Sequence, residues 1–478
     1  METLQRTANR GSISTGGYEI DNSLKLERAN GEQVVTTNQA EGNYRTWTFS
    51  AWIKRTELSK DYHTIFGAEY TNIQIMDNNR PRLVLYDGST SYYADPEMLM
   101  RDTSAWYHIV VALDSTQGTA ADRVKWYING DRVTDFNNST YANMSQNTEF
   151  TGVGKPSAYG SGGWLRVGDF FGGSEGFSGY IADVYYLNGT AEDADAFGET
   201  DSDSGIWIPK EYTGSGYGTQ GFHYKFDNAS NLGEDSSGEG HDANSLGNIT
   251  AADQSTDTPT NNFCTFLSDG TLFSTSSSDN PTFKQGGTEQ IANGGTGWVF
   301  AYGTQAASSG KWYWEGKVSS TKNCMIGACP VDTTAGTTTA YLGQQSNGTI
   351  GFQYGDGNIF YWTGATEYVA GGGGVSTNDI IGFAMDLDNN KAYVSRNGTW
   401  LNSADPAGNS NGHAILDKPY MFAMARYNPS QNNYFNFGGF PSFTISSAAT
   451  DENGYGTFEY APPSGFYAMC TKNLAEYG

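Results

Sequence analysis

The chain has 478 residues, 52 acidic against 27 basic, giving a formal net charge of −25, with 61 Gly, 11 Trp, 31 Tyr and 25 Phe. Such a charge repels nucleic-acid phosphates and anionic membrane surfaces, which are bound by clustered Lys and Arg, and so many aromatics exclude a disordered chain. Glycine supplies positive φ for tight turns and aromatics cover pleated surfaces, so many short strands are expected, in two or three domains by length.

Residues 1–20 are polar, lack the apolar core of a secretion signal, and read as an N-terminal docking arm. Nowhere do about 18 apolar residues run together, so no membrane insertion is expected. From 21 to 230 the apolar residues alternate. Trp47, Phe49, Ala51 and Ile53 share one face of a strand. The run 106–113 is apolar on both faces, as a covered strand would be. In 123–128, Val124, Trp126 and Ile128 point one way and Arg123, Lys125 and Tyr127 the other, before an Asn129-Gly130 hairpin signal. The strand 180–187 ends in a second such signal, Asn188-Gly189. Thr190 to Asp193 reads as a capping box, with one or two helical turns from Ala194 to Phe197 and Gly198 as the stop. Residues 231–297 are rich in Ser, Thr, Asn and Gly and read as an extended, packed connector rather than a flexible linker. From 298 to 478 the alternation returns. Trp312, Trp314 and Val318 share a face, as do Ile381, Phe383 and Met385, and Asn397-Gly398 marks a hairpin. The fold class is therefore all-β, two tandem antiparallel β-sandwiches.

The four cysteines, Cys264, Cys324, Cys329 and Cys470, form no C-x-x-C and no zinc spacing. Cys324 and Cys329 fall on opposite faces of a strand, so they should not bridge, and the four are expected as buried free thiols.

Two stretches carry family resemblances. Residues 45–55 (RTWTFSAWIKR), 106–114 (WYHIVVALD), 124–130 (VKWYING) and 179–189 (GYIADVYYLNG) resemble the laminin-G-like, concanavalin A-like jelly-roll modules of phage structural proteins. Residues 197–207, 221–226 and 257–263 resemble the continuation found in fibre-like proteins of marine and cyanobacterial phages. The second half resembles a SPRY-type sandwich through Gly310 to Glu315, Gly348 to Phe352, Asp379 to Gly382, Asp386 to Asp388, Asn397-Gly398, Asn436 to Gly438 and Ala461 to Phe466. It lacks the neighbouring domains of animal SPRY proteins. The resemblances imply a concanavalin A-like jelly roll followed by a SPRY-like sandwich, and a virion protein made in the host cytoplasm. They also allow a calcium ion in a loop, without placing it; no other cofactor is expected.

A glycosidase needs two carboxylates about 5–10 Å apart, but no E-x-D-x-E run occurs. Glu315 and Asp183 stand alone in their strands and read as edge or capping carboxylates. Gly172 to Gly176 matches G-x-S-x-G, which acts as a nucleophile only on a strand-to-helix turn. Asp201, Asp203 and Gly205 resemble the start of a calcium loop without its closing Glu, and Asp386 and Asp388 offer oxygens in a turn. The histidines are dispersed, and His108 reads as a core residue. Carbohydrate sites pair an aromatic face with a few polar groups. Tyr159 and Trp164, Tyr361 and Trp362, and Tyr427 beside Asn428 have that mix. The expected function is a non-catalytic virion structural protein, a fibre or tail-associated adhesin binding host-surface glycan or protein. Two alternatives stay open: a capsid or tail decoration protein contacting other virion subunits, and a glycan-degrading enzyme. A homo-oligomer is expected, a trimer if the protein is a fibre.

Overall fold

The computed structural model describes residues 17–37, 41–58, 62–68, 70–153, 164–169, 175–267, 282–291, 298–319, 324–333, 341–343, 348–362, 366–370, 374–427 and 432–478. Tyr159, Gly172 to Ser174, Asn428 and residues 1–16 of the expected arm lie outside the described residues. The chain divides into two units, 1–260 and 261–478.

Among the described residues, the first unit is two facing eight-stranded sheets and a two-stranded sheet of Gly198–Thr200 with Trp207–Pro209. One eight-stranded sheet has, from edge to edge, Asp131–Arg132, Val124–Ile128, Trp106–Asp114, Thr46–Arg55, Gly179–Asn188, Ser23–Leu26 and Gln254–Ser255, with Phe222–Tyr224 also paired to Gly179–Asn188. The other has Phe136–Asn138, Ser91–Pro96, Pro81–Tyr86, Thr71–Ile75, His63–Ala68, Trp164–Val167, Glu32–Thr37 and Ser245–Gly247. Strand alternation sorts the side chains: Trp47, Phe49, Ala51, Ile53, Val124, Trp126 and Ile128 enter the core between the sheets. Val110, Tyr127 and Tyr185 turn outward and are covered by Phe197, Tyr212 and Tyr217, so the central strands are buried on both faces.

Asn129 (φ 49°) and Gly130 (φ 83°) make the hairpin between Val124–Ile128 and Asp131–Arg132. A Cβ on Gly130 would lie 2.4 Å from the Trp207 ring, so the indole rests directly on this turn. Trp207 Nε1 donates to His108 Nδ1 at 3.0 Å, and His108 Nε2 meets Ser50 Oγ at 2.9 Å. Burial pushes His108 down to about 3, so it is a neutral core histidine.

Two local expectations differ from the structure. Asn188 ends its strand without a hairpin; its side chain accepts from Asn43 N at 2.8 Å and donates to Asn43 O at 2.9 Å, tying down the preceding loop. Thr190 caps nothing, because its hydroxyl donates to Gly216 O; Asp193 precedes a single 3-10 turn, Ala194–Ala196, and its carboxylate is drawn off to Lys125 and Tyr127. Gly198 then opens a strand rather than ending a helix.

The stretch 231–297 spans the boundary between the units. Ser245–Gly247 and Gln254–Ser255 are edge strands of the first unit, and Leu232 lies in its core. Asp257 accepts from Lys54 Nζ at 2.7 Å and Trp106 Nε1 at 3.1 Å, all three buried. Lys25 Nζ meets Glu32 at 3.0 Å and Asp253 at 2.7 Å. Phe263, Cys264 and Phe266 are buried in the second unit. Buried ion pairs and side-chain hydrogen bonds replace aliphatic packing here, which is why a polar composition resembled a connector.

The second unit pairs a nine-stranded with a six-stranded sheet among the described residues. Trp312, Trp314, Ile381, Phe383 and Met385 fill the space between them, with Trp314 stacked on Phe437 at 4.9 Å and 3°. Cys324 faces this core and Cys329 the opposite side of the sheet; all four cysteines are free and buried. Asn397 (φ 48°) and Gly398 (φ 75°) form the expected hairpin. Among the described residues, strand pairing is antiparallel except for a two-residue parallel contact of Trp312 and Tyr313 with Tyr467 and Ala468. The α-helix Thr471–Tyr477 was not anticipated; it is held by Asn473 donating to Asp451 Oδ2 and Ala468 O. The architecture is all-β, two antiparallel sandwiches in tandem.

Candidate ligand-binding faces

The six-stranded sheet of the second unit turns one side to its core and the other outward. Its strands, in sheet order, are Trp298–Ala307, Tyr420–Tyr427, Cys324–Pro330, Ile350–Gln353, Asn358–Trp362 and Thr366–Ala370. Register sets Trp298 opposite Tyr427, and their rings meet at 5.7 Å. Tyr341 arrives from a loop, its ring 5.7 Å from Trp298 and 5.0 Å from Phe360. The neighbouring Leu342 is fully buried and anchors that loop on Gly351, where a Cβ would stand 2.5 Å from the leucine Cβ. Tyr427, Trp298, Tyr341 and Phe360 thus form an unbroken aromatic row; Tyr427 is 42% exposed and the other three are half-buried. Gln353 and Asn358 are two residues from Gly351 and Phe360 on the same strands, so they share this outward face.

Alternation separates two residues that looked like one site. Tyr361 points to the core side, with its ring 5.5 Å from His413, while Trp362 shares the face of Phe360. The pattern F-Y-W could have assigned Phe360 rather than Tyr361 to the outer face. Trp298 and Tyr341 had no local signal; long-range register and a loop bring them to Tyr427.

In the first unit, Trp164 begins the strand Trp164–Val167 and is 39% exposed. Leu165 and Val167 enter the core, leaving Trp164 and Arg166 on the outer face. The Arg166 guanidinium lies 5.3 Å from the Trp164 ring, and Nη1 donates to Gln33 Oε1 at 3.0 Å. Burial pulls Arg166 below its ordinary value, partly offset by Asp169. Register carries the row from Arg166 through Gly67 and Asn72 to Val84 and Tyr93. Farther along, Arg82 donates two bonds to Asp95, at 2.9 and 2.7 Å, and stands 4.9 Å over Tyr93. Hydrogen bonding to Asp95 raises Arg82.

A cleft of about 360 Å³ on the opposite sheet of this unit is lined by Asp114, Gln117, Asp122, Lys125 and Arg132. Its charges are matched locally, Lys125 to Asp193 at 2.8 Å, Arg132 to Asp122 at 3.2 Å, and Asp114 by Thr116 and Gln117.

The isolated carboxylates are interior anchors rather than edge groups. Glu315 is fully buried and accepts from Tyr313 Oη at 3.1 Å, Asn436 Nδ2 at 3.0 Å, Glu459 N at 3.0 Å and Tyr460 N at 2.9 Å, which pins the C-terminal segment. Burial outweighs these bonds and pushes it up to about 7. Asp183 occupies a bulge at φ 50°, where Oδ1 accepts from Tyr18 Oη at 3.0 Å and pairs with His223 Nε2 at 2.6 Å. Asp201 is a turn residue, accepting from Asp203 N, Ser204 N and Ser204 Oγ. Asp386 serves Asn389 and Lys311, and Asp388 accepts from Gly310 N. Among the described residues no three His, Cys, Asp or Glu side chains gather as metal ligands.

No curated protein matches the sequence. Solved structures that superpose in part include the SPRY domain of human HERC1 (10% identity, 36% of this chain and 96% of that chain, TM-score 0.26). A putative carbohydrate binding protein from Bacteroides ovatus also does so (17% identity, 37% and 46%, TM-score 0.28), as does the heptameric SAP-like pentraxin from Limulus polyphemus (18%, 35% and 77%, TM-score 0.25). Within the first unit, residues 29–196 match the family model Laminin_G_3, of the concanavalin A-like lectin/glucanases superfamily.

Proposed function

We propose that this protein is a non-catalytic adhesin of a phage particle that holds host-surface carbohydrate against aromatic side chains on rigid β-sandwiches. The observation that carries the reading is the row Tyr427, Trp298, Tyr341 and Phe360, each ring within 6 Å of the next, with Gln353 and Asn358 on the same face. Pyranose faces stack on such rings while amides take their hydroxyls. The match of residues 29–196 to a superfamily that includes lectins supports carbohydrate recognition by the first unit as well.

That superfamily also includes glucanases. Hydrolysis needs two carboxylates facing each other across the bond, whereas Asp95 is occupied by Arg82, Glu315 is enclosed by four donors, and Asp114 and Asp122 in the cleft are held by Thr116, Gln117 and Arg132. Binding is therefore the better reading. Placement in a virion, with other virion proteins as partners and copy number supplying avidity, follows the resemblance of residues 45–55, 106–114 and 179–189 to phage modules. The experiment is a glycan array and a host-cell binding assay with the full chain. Wild type should be retained, and Trp298→Ala or Tyr427→Ala should weaken retention about ten-fold, the factor that ~1.4 kcal/mol represents. Retention of no glycan and no cell would overturn the reading and favour contacts to other virion subunits.

A further inference from the structure

We propose that the first unit carries a separate site for an acidic sugar, in which the Arg166 guanidinium pairs with the sugar carboxylate and the Trp164 indole takes the ring face. This rests on the reading of the protein as a carbohydrate binder, but on the other unit and on different residues.

The charge pattern around Arg166 is the starting point. In this acidic chain, several cations packed into the sheets meet carboxylates: Lys25 with Glu32 and Asp253, Lys54 with Asp257, Arg82 with Asp95, Lys311 with Asp386, and Arg396 with Asp379. Arg55 and Arg123 instead bond neutral oxygens but are enclosed in the interior, whereas Arg166 stands on the outer face beside an exposed indole. Arg166 forms no ion pair with the described residues. Its hydrogen bond goes to the neutral Gln33 and its ring contact to Trp164. Asp169 acts on it through space without bonding to it. A guanidinium is a planar fork that matches a carboxylate with two parallel bonds. Gln33 and Trp164 already hold the fork, so little side-chain freedom remains to be lost on binding.

The surroundings favour a sugar over a bare anion. Trp164 and Arg166 are two residues apart on one strand, so the exposed indole and the guanidinium stand side by side on one face. Gly67, opposite Arg166, adds no side chain, so nothing from the neighbouring strand stands over the guanidinium at that register position. An exposed aromatic face beside a cation is the complement of a uronic acid, whose ring stacks while its carboxylate pairs. The net charge of −25 does not forbid this ligand, since salt at 0.15 M confines that field to about 8 Å while the contact with Arg166 is direct.

Calorimetric titration of the full chain with D-glucuronate and with D-glucose tests the site. Wild type should prefer glucuronate. Arg166→Gln should abolish the preference, and Arg166→Lys, which keeps the charge but not the fork, should weaken glucuronate about ten-fold. Trp164→Ala should weaken both sugars, and Trp298→Ala neither. Equal affinity of wild type for the two sugars, or undiminished glucuronate binding by Arg166→Gln with an unchanged thermal transition, would overturn the proposal. If glucuronate fails while Trp298-dependent glycan retention persists, this site alone falls; if no glycan is retained either, the adhesin reading falls with it.

Discussion

Glu315 offers a test in which structure dictates both sign and size. In Glu315→Gln the amide keeps one oxygen. Its better orientation leaves that oxygen toward Asn436 and Glu459 and turns the NH₂ toward Tyr313, whose hydroxyl can rotate to accept. Tyr460 N–H is then orphaned in the interior, which costs about 1–3 kcal/mol. The wild-type carboxyl adds a pH dependence. Burial raises its folded pKa to about 7, above the value of about 4.3 for an exposed glutamate. A raised carboxyl contributes stability that is complete below the unfolded pKa and is lost as pH rises through the folded one. At about 1.4 kcal/mol per unit, the loss by pH 8 is of order 3 kcal/mol. Gln does not titrate. The variant should therefore be less stable than wild type by about 1–3 kcal/mol at pH 5 and comparable to it at pH 8. Guanidinium titrations followed by tryptophan fluorescence at several pH values would measure this, since Trp312 and Trp314 lie in the same strand as Glu315. Other titrating groups cancel in the difference between the two proteins. A difference that stays constant from pH 5 to 8, or equal stability at pH 5, would refute the assignment of this group.

Three further outcomes are expected. The four buried thiols should resist a disulfide reagent in the native state and react together on unfolding; Cys324, Cys329 and Cys470 are all pushed up by burial. Rapid labelling of any one under native conditions would contradict its burial. Gly130→Ala should destabilise the first unit by about 1–3 kcal/mol, because φ 83° disfavours a side chain and the new Cβ would collide with Trp207; thermal unfolding would read it. Leu342→Ala should cost about 2 kcal/mol or more and also weaken glycan retention, since Leu342 anchors the loop that places Tyr341 in the aromatic row. Loss of stability with full retention would separate the loop from the binding face.

The sequence by itself determined the fold class and the faces of most strands. Period two is local: Trp47, Phe49, Ala51 and Ile53 must share a side wherever the strand lies, and Asn129-Gly130 and Asn397-Gly398 turn the chain by their own backbone preferences. That Cys324 and Cys329 do not bridge followed from the same parity. Tertiary structure decided what parity cannot reach. Trp298 meets Tyr427 only through the register of two strands distant in the chain, and Tyr341 completes the row from a loop. The stretch 231–297 reads as a packed connector, but that parts of it belong to the first sandwich was not legible, because ion pairs such as Lys54 with Asp257 are invisible until both partners are placed. Arg166 gained its meaning in the same way: in the sequence it is one of 27 basic residues, and only the placed neighbours reveal that its hydrogen bond goes to Gln33 and that no described carboxylate bonds to it. Alternation is written into consecutive residues, whereas electrostatic and aromatic company is set by strand order, which no short segment encodes.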